Sequence, residues 1–228
     1  MKIFRFIFLV IFIVGILSVN LPVHGENNAV NVDEYNKAVE AYRNVLQNIE
    51  QIKILFRKNY YMKRYYLRFY MNNVAYKYYT DYNDEYWNSY FEHFAVNKFT
   101  VLDMDSNNIP EVILDITPNN DIMVLYYYDS IVYCYTCIRT ELYNLKKDGT
   151  FYWQNGWSVN GFDKFELING IFERRTLAYF GSFSADIISY YISDKEVSDQ
   201  EFGMFYYEQE QKENADWYDF NDIKKEKV

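Results

Sequence analysis

Apolar residues recur at three- and four-residue steps early in the chain, at Tyr35, Val39, Tyr42, Val45, Leu46, Ile49, Ile52 and Phe56. That spacing paints one helical stripe and predicts a helix from about Asp33 to Phe56, opened by Asn31 and Glu34 as a capping box. The stripe is short and has no charge code beside it, so it is expected to lie on its own domain and not to form a coiled coil. Residues 57–80 hold Arg57, Lys58, Lys63, Arg64, Arg68 and Lys77, interleaved with tyrosines and without a single acid. The pairs 61/62, 65/66 and 69/70 predict a second helical face there. An acidic, aromatic helix is predicted over Asp84 to Phe94, with Trp87, Tyr90, Phe91 and Phe94 inward.

From Phe99 the pattern changes to short β-favouring runs. Strands are predicted at Phe99–Leu102, Val112–Ile116, Ile122–Tyr128, Ile131–Ile138, Leu142–Leu145, Thr150–Trp153, Phe162–Ile168 and Ile171–Phe180, with a last one near Tyr190-Tyr191-Ile192. Turn clusters separate them at Pro118–Asp121, Asp129-Ser130, Lys147-Asp148-Gly149 and Asn169-Gly170, the last a strong hairpin signal. Ser198 and Glu201 form a capping box for a terminal helix to about Asn214, after which Trp217, Tyr218 and Phe220 fold the tail back. The order implies an α+β fold of N-terminal helices, a long antiparallel β meander and a C-terminal helix. Residues 26–98 form the helical region with its basic Tyr-rich insert. Residues 99–228 form the β region with its helix, in one globular unit with 26–98.

The first 25 residues read differently. Lys2 and Arg5 precede the apolar run Phe6 to Leu17, and small residues surround a cut site after Gly25. This is the pattern of a signal peptide, and its core is shorter than the roughly 20 residues a membrane span needs. Residues 1–25 are therefore expected to be a cleaved leader, which places the protein outside the cell or on its surface. Membrane attachment follows only if the leader is retained.

Cleavage removes two cations and no anion, taking the formal net charge from −9 to about −11. Such a chain repels nucleic acid and anionic lipid. Of two histidines only His93 remains, so a catalytic triad or an ordinary zinc site would have to be built around one imidazole. Tyrosine and phenylalanine, 26 and 18 in number, dominate the composition and suit wet binding surfaces as well as cores. Cys134 and Cys137 lie three apart in a predicted strand and so on opposite faces, which predicts two reduced, buried thiols.

The chemistry concentrates in Asp103-Met104-Asp105-Ser106-Asn107-Asn108-Ile109-Pro110-Glu111. Asp103, Asp105 and Asn107 offer side-chain oxygens, Ile109 a backbone carbonyl and Glu111 a final carboxylate. A hard cation such as Ca²⁺ wants that convergence, and a structural role is expected for it. The twelfth position is Leu114, so the loop is not an EF-hand. The competing reading is an Asx-rich turn that feeds Pro110 into a strand.

Trp153 and Trp157, in a loop marked by Asn155-Gly156 and Asn160-Gly161, are the candidate ligand-binding residues for a glycan or a cell-surface protein. Asp163 and Glu166 beside them are the only acids placed for an alternative, a secreted polysaccharide hydrolase with paired carboxylates. A purely structural envelope protein is the third reading. No Gly-rich phosphate loop, Gly-x-Ser-x-Gly or His-Glu-x-x-His occurs.

The run from Phe99 to Val112, together with Tyr143–Thr150, Gly161–Phe165 and Tyr190–Phe202, resembles uncharacterised secreted or envelope-attached proteins of Clostridia-like Gram-positive bacteria. Their usual loop is Asp-x-Asp-x-Asp/Asn-Gly-x-Pro-Glu. The resemblance covers roughly residues 33–56 and 95–220, leaves the basic insert aside and implies no activity. Asn108 stands where that loop has Gly, and Asn visits left-handed geometry more readily than most residues. The loop is also similar to calcium loops of integrin-type propeller repeats, although one copy cannot make a propeller.

Overall fold

The structure is a computed structural model that describes residues 32–46, 49–56, 61–65, 95–117, 121–155, 159–184 and 187–219. The expected leader, the helix over 84–94, His93, Trp157 and Phe220 lie outside the described residues. The chain divides into two compact units, one within Met1–Val101, Asn108–Thr136 and Trp217–Val228, the other within Leu102–Asn107 and Cys137–Asp216.

The first unit sets helix α1, Val32–Leu46, against a seven-stranded sheet. Tyr35, Ala38, Val39, Tyr42, Val45 and Leu46 are its buried stripe. Asp33 and Glu34 in its first turn and Arg43 in its last complement the helix dipole. The strands are β1 (Ile52–Phe56), β2 (Tyr61–Tyr65), β3 (Ala95–Leu102), β4 (Glu111–Thr117), β5 (Asp121–Tyr128) and β6 (Ile131–Ile138), with a short β12 (Tyr218–Asp219) at the edge. Their spatial order is β12-β3-β4-β5-β6-β1-β2. Alternate residues of the central strands, Val112, Leu114 and Ile116 with Met123, Leu125, Tyr127, Val132 and Cys134, join the helix stripe in one core. Ile113, Ile122, Val124 and Tyr126 on the other face are buried too, which is why these strands read as continuous apolar runs. Tyr218 stacks on Phe99 at 5.5 Å, so the tail folds back as expected.

Three expectations for this unit are corrected. The helix ends at Leu46 and not near Phe56: Asn44 O accepts from Ile49 N and Glu50 N, and the chain bends into β1. Ile49 is 61% exposed, so its fit to the stripe is accidental, whereas Ile52 is buried through a strand. Tyr61–Tyr65 is likewise a strand, paired antiparallel with β1 from Ile52↔Tyr65 to Phe56↔Tyr61. Its tyrosines fit a step of four, which reads as one helical face, but pairing with β1 makes the segment extended. The sheet is also not a pure meander, because β1 runs parallel to β6 with Ile54 opposite Cys134.

The second unit is an antiparallel sheet in the order β11-β10-β9-β8-β7, with β7 Thr150–Asn155, β8 Val159–Ile168, β9 Ile171–Ser184, β10 Ile187–Ile192 and β11 Lys195–Val197. Asn169-Gly170 and Ser193-Asp194 close tight hairpins with both residues at positive φ. Leu142–Leu145 is not a strand: a 3₁₀ turn, Arg139–Glu141, precedes it, and Tyr143 makes only an isolated bridge to Tyr152. Helix α2, Asp199–Gln211, starts on the expected box, with the Ser198 side chain accepting from Glu201 N and the Glu201 carboxylate accepting from Ser198 N. It lays Phe202 on Phe180 and Tyr190, and Phe205 and Tyr206 on Phe162. Phe151, Phe165 and Phe172 stack in series elsewhere in this sheet.

Candidate functional site

The loop from Asp103 to Glu111 leaves the end of β3 and enters β4. Met104 is fully buried within it and pins the turn, while Ser106 and Asn108 adopt φ of 66° and 68°. The left-handed geometry at Asn108 is what the missing Gly requires. Asp103, Asp105 and Glu111 each bring a carboxylate oxygen to within 4.8 Å of the others. Glu111 is 1% exposed, whereas Asp103 and Asp105 are half-buried. Burial above all, with the Asp103 charge adding to it and the Asn107 N–H opposing, pushes Asp105 up to about 6.

Asn107 ties the turn together. Its backbone N–H donates to Asp103 Oδ1 and Asp105 Oδ1, each at 3.1 Å, and its side-chain amide donates to Asp105 Oδ2 at 3.0 Å. To ligate a metal this carboxamide would turn about its terminal bond and offer its oxygen. Lys164 Nζ donates to Ser106 Oγ at 2.9 Å and so places a cation on the loop's shoulder. The donor set is all oxygen, three of the atoms carboxylate, which fits Ca²⁺ better than a soft metal. Ile109 is half-buried in the same turn.

Trp153 is half-buried, and its indole is already engaged. Its Nε1 donates to Asp163 Oδ1 at 2.6 Å, and the Arg174 guanidinium lies over its ring at 5.6 Å and over Phe151 at the same distance. Arg174 in turn grips Asp163 Oδ2 through Nε at 2.7 Å and Nη2 at 2.6 Å. Gly161, opposite Trp153, is required by close packing, since a Cβ there would sit 2.5 Å from Ala178 O and 2.9 Å from the indole. Glu166 pairs with Arg175 at 2.6 Å on an exposed surface. The two acids of the hydrolase alternative are thus each committed to an arginine. The sequence offered no signal for the Asp163–Arg174–Trp153 clamp, because its members meet only once three strands are in register.

Cys134 and Cys137 are buried thiols on β6, as their spacing implied, and Cys134 Sγ donates to Tyr135 O at 3.7 Å. Among the described residues no helix is long and apolar enough to cross a membrane.

No protein-family model, no curated protein and no solved structure matches the chain.

Proposed function

We propose that the chain is an exported, non-catalytic α+β module that takes one Ca²⁺ in its Asp103–Glu111 loop and holds a glycan or surface partner through aromatic side chains. The observation that carries the metal is the convergence of Asp103, Asp105 and Glu111. Three carboxylates gathered this closely repel one another, and a divalent cation turns that repulsion into attraction. The metal's role is structural: it would fix the turn that delivers the chain into β4. The non-catalytic reading is supported by the engagement of Asp163 by Arg174 and of Glu166 by Arg175.

Calorimetric titration of chelator-treated protein with CaCl₂ tests the metal. Binding heat is expected, together with a stabilisation of about 2.7 kcal/mol at a hundredfold excess over Kd. Both should vanish in Asp103→Ala. Absence of heat and of any thermal shift in the native protein overturns the calcium reading.

A further inference from the structure

Trp153 already donates its indole N–H to Asp163. A different group of rings stands open in the same unit. Tyr143 is 55% exposed and Tyr206 38% exposed, with half-buried Tyr152 between them. Tyr143 meets Tyr152 edge-on at 6.4 Å, and Tyr152 meets Tyr206 edge-on at 6.5 Å.

These rings are fixed from beneath and from the side. Tyr143 and Tyr152 exchange two backbone hydrogen bonds of 2.8 Å. Phe162 touches both Tyr152, at 5.2 Å, and Tyr206, at 5.3 Å. Polar groups border the rings. Gln154 is hydrogen-bonded to the Tyr152 hydroxyl, Glu210 follows Tyr206 by one helical turn, and Asn144 donates to Glu210 Oε1 at 3.1 Å. Held rings with carboxamides and a carboxylate at their rim offer apolar faces to C–H groups and donors and acceptors to hydroxyls. They do so at little entropic cost, because the rings are already in place.

We propose that Tyr143, Tyr152 and Tyr206, rimmed by Asn144, Gln154 and Glu210, form a binding surface for a neutral glycan chain. This deepens the glycan reading above and is independent of the calcium loop. Glu210 and the net charge of −9 select against an anionic polymer. The rings touch consecutively, Tyr143 on Tyr152 and Tyr152 on Tyr206, which suits successive units of a chain-like ligand.

The test is native affinity electrophoresis of the full chain in gels cast with mixed-linkage β-glucan, xylan or dextran, and with polygalacturonate as the anionic comparison. At least one neutral gel should retard the protein. Tyr143→Ala and Tyr206→Ala should each weaken that retardation by tenfold or more, with far-ultraviolet circular dichroism unchanged. Tyr128→Ala, which removes an exposed tyrosine of the first unit, should leave the retardation as it is. Retardation that survives both Tyr143→Ala and Tyr206→Ala overturns this surface while the general glycan reading stands. Retardation by none of the neutral gels overturns both. A preference for polygalacturonate, or loss of a captured surface protein without any glycan effect, overturns the neutral-glycan assignment.

Discussion

In the first unit a helical stripe meets one face of a sheet, and aliphatic side chains and tyrosine rings close the interior between them. In the second unit the sheet carries stacked phenylalanines and is fastened by charged groups drawn from distant parts of the chain. Asp163 holds Arg174 and Trp153. Lys146, only 4% exposed, donates to Glu210 O at the C-terminal end of α2 and to Asn214 Oδ1. Helix α2 has no basic residue in its own last turn, so Lys146 supplies the cation its dipole favours. The difference teaches that apolar burial dominates the first unit, where Glu111 and Asp115 are the buried acids among the described residues, whereas the second leans on particular polar partners. A wrong residue there leaves a charge behind and not merely a void.

The sharpest way to break this contrast is Asp163→Ala. Its side chain is 3% exposed, and its removal strands the guanidinium of Arg174 and the indole N–H of Trp153. A loss of about 3–5 kcal/mol is expected, the usual cost of breaking a buried pair from one side. Urea unfolding followed by Trp fluorescence reads it. Asp163→Asn, which keeps an acceptor but no charge, should lose less. If both variants unfold like the parent, polar fastening is not what holds the second unit.

Gly149→Ala probes the same unit through its backbone. Gly149 sits at φ 81°, and a Cβ there would lie 2.3 Å from Met104 O. The left-handed conformation alone costs an L-residue about 1–2 kcal/mol, and the clash with backbone adds to it. A destabilisation of about 2 kcal/mol or more, read as a lower urea midpoint at unchanged m-value, is the expected outcome. An unchanged midpoint would mean that the turn can shift away from Met104.

What the sequence disclosed divides by range along the chain and not by unit. The α1 stripe, strands β4 to β6 and the Ser198 box were legible, because period and capping are local properties. The helix overran to Phe56 because Ile49 and Ile52 continue the spacing by coincidence, one exposed and the other buried in a strand. Tyr61–Tyr65 carries only the four-residue step of its tyrosines, and its strand is decided by pairing with β1, which lies outside the segment. The hairpin at Ser193-Asp194 went unread, since neither residue announces a positive φ as Asn169-Gly170 does. The carboxylates of the loop were legible because they lie within nine residues. The Asp163 clamp, the Lys146 cap and the tyrosine surface were not, because each requires strand register or a bond across more than sixty positions.

The smallest effect separates one acid of each unit, Asp121 and Asp148, by the sign of its response to pH. In the first unit, burial pushes Asp121 up to about 6. In the second, burial would raise Asp148, but hydrogen bonds from Lys212 and Thr150 and the Lys212 charge outweigh it and hold the carboxyl below its usual range. A raised carboxyl binds its proton more tightly in the folded state, so what Asp121 contributes is full below about pH 4 and is lost as pH rises to about 6. Asp148 works in the opposite sense, contributing at neutral pH and losing that contribution as acid protonates it. Asp121→Asn should therefore raise stability at pH 7, by on the order of 1 kcal/mol once solvent screening is allowed for, and change nothing at pH 4. Asp148→Asn should lower stability at pH 7, with a deficit that shrinks as the pH falls. Thermal melts of both variants at pH 4, 5, 6 and 7 decide the matter. Parallel curves for the two would show that neither acid titrates as its surroundings dictate, and the contrast between an acid that is merely buried and one that is held by partners would be gone.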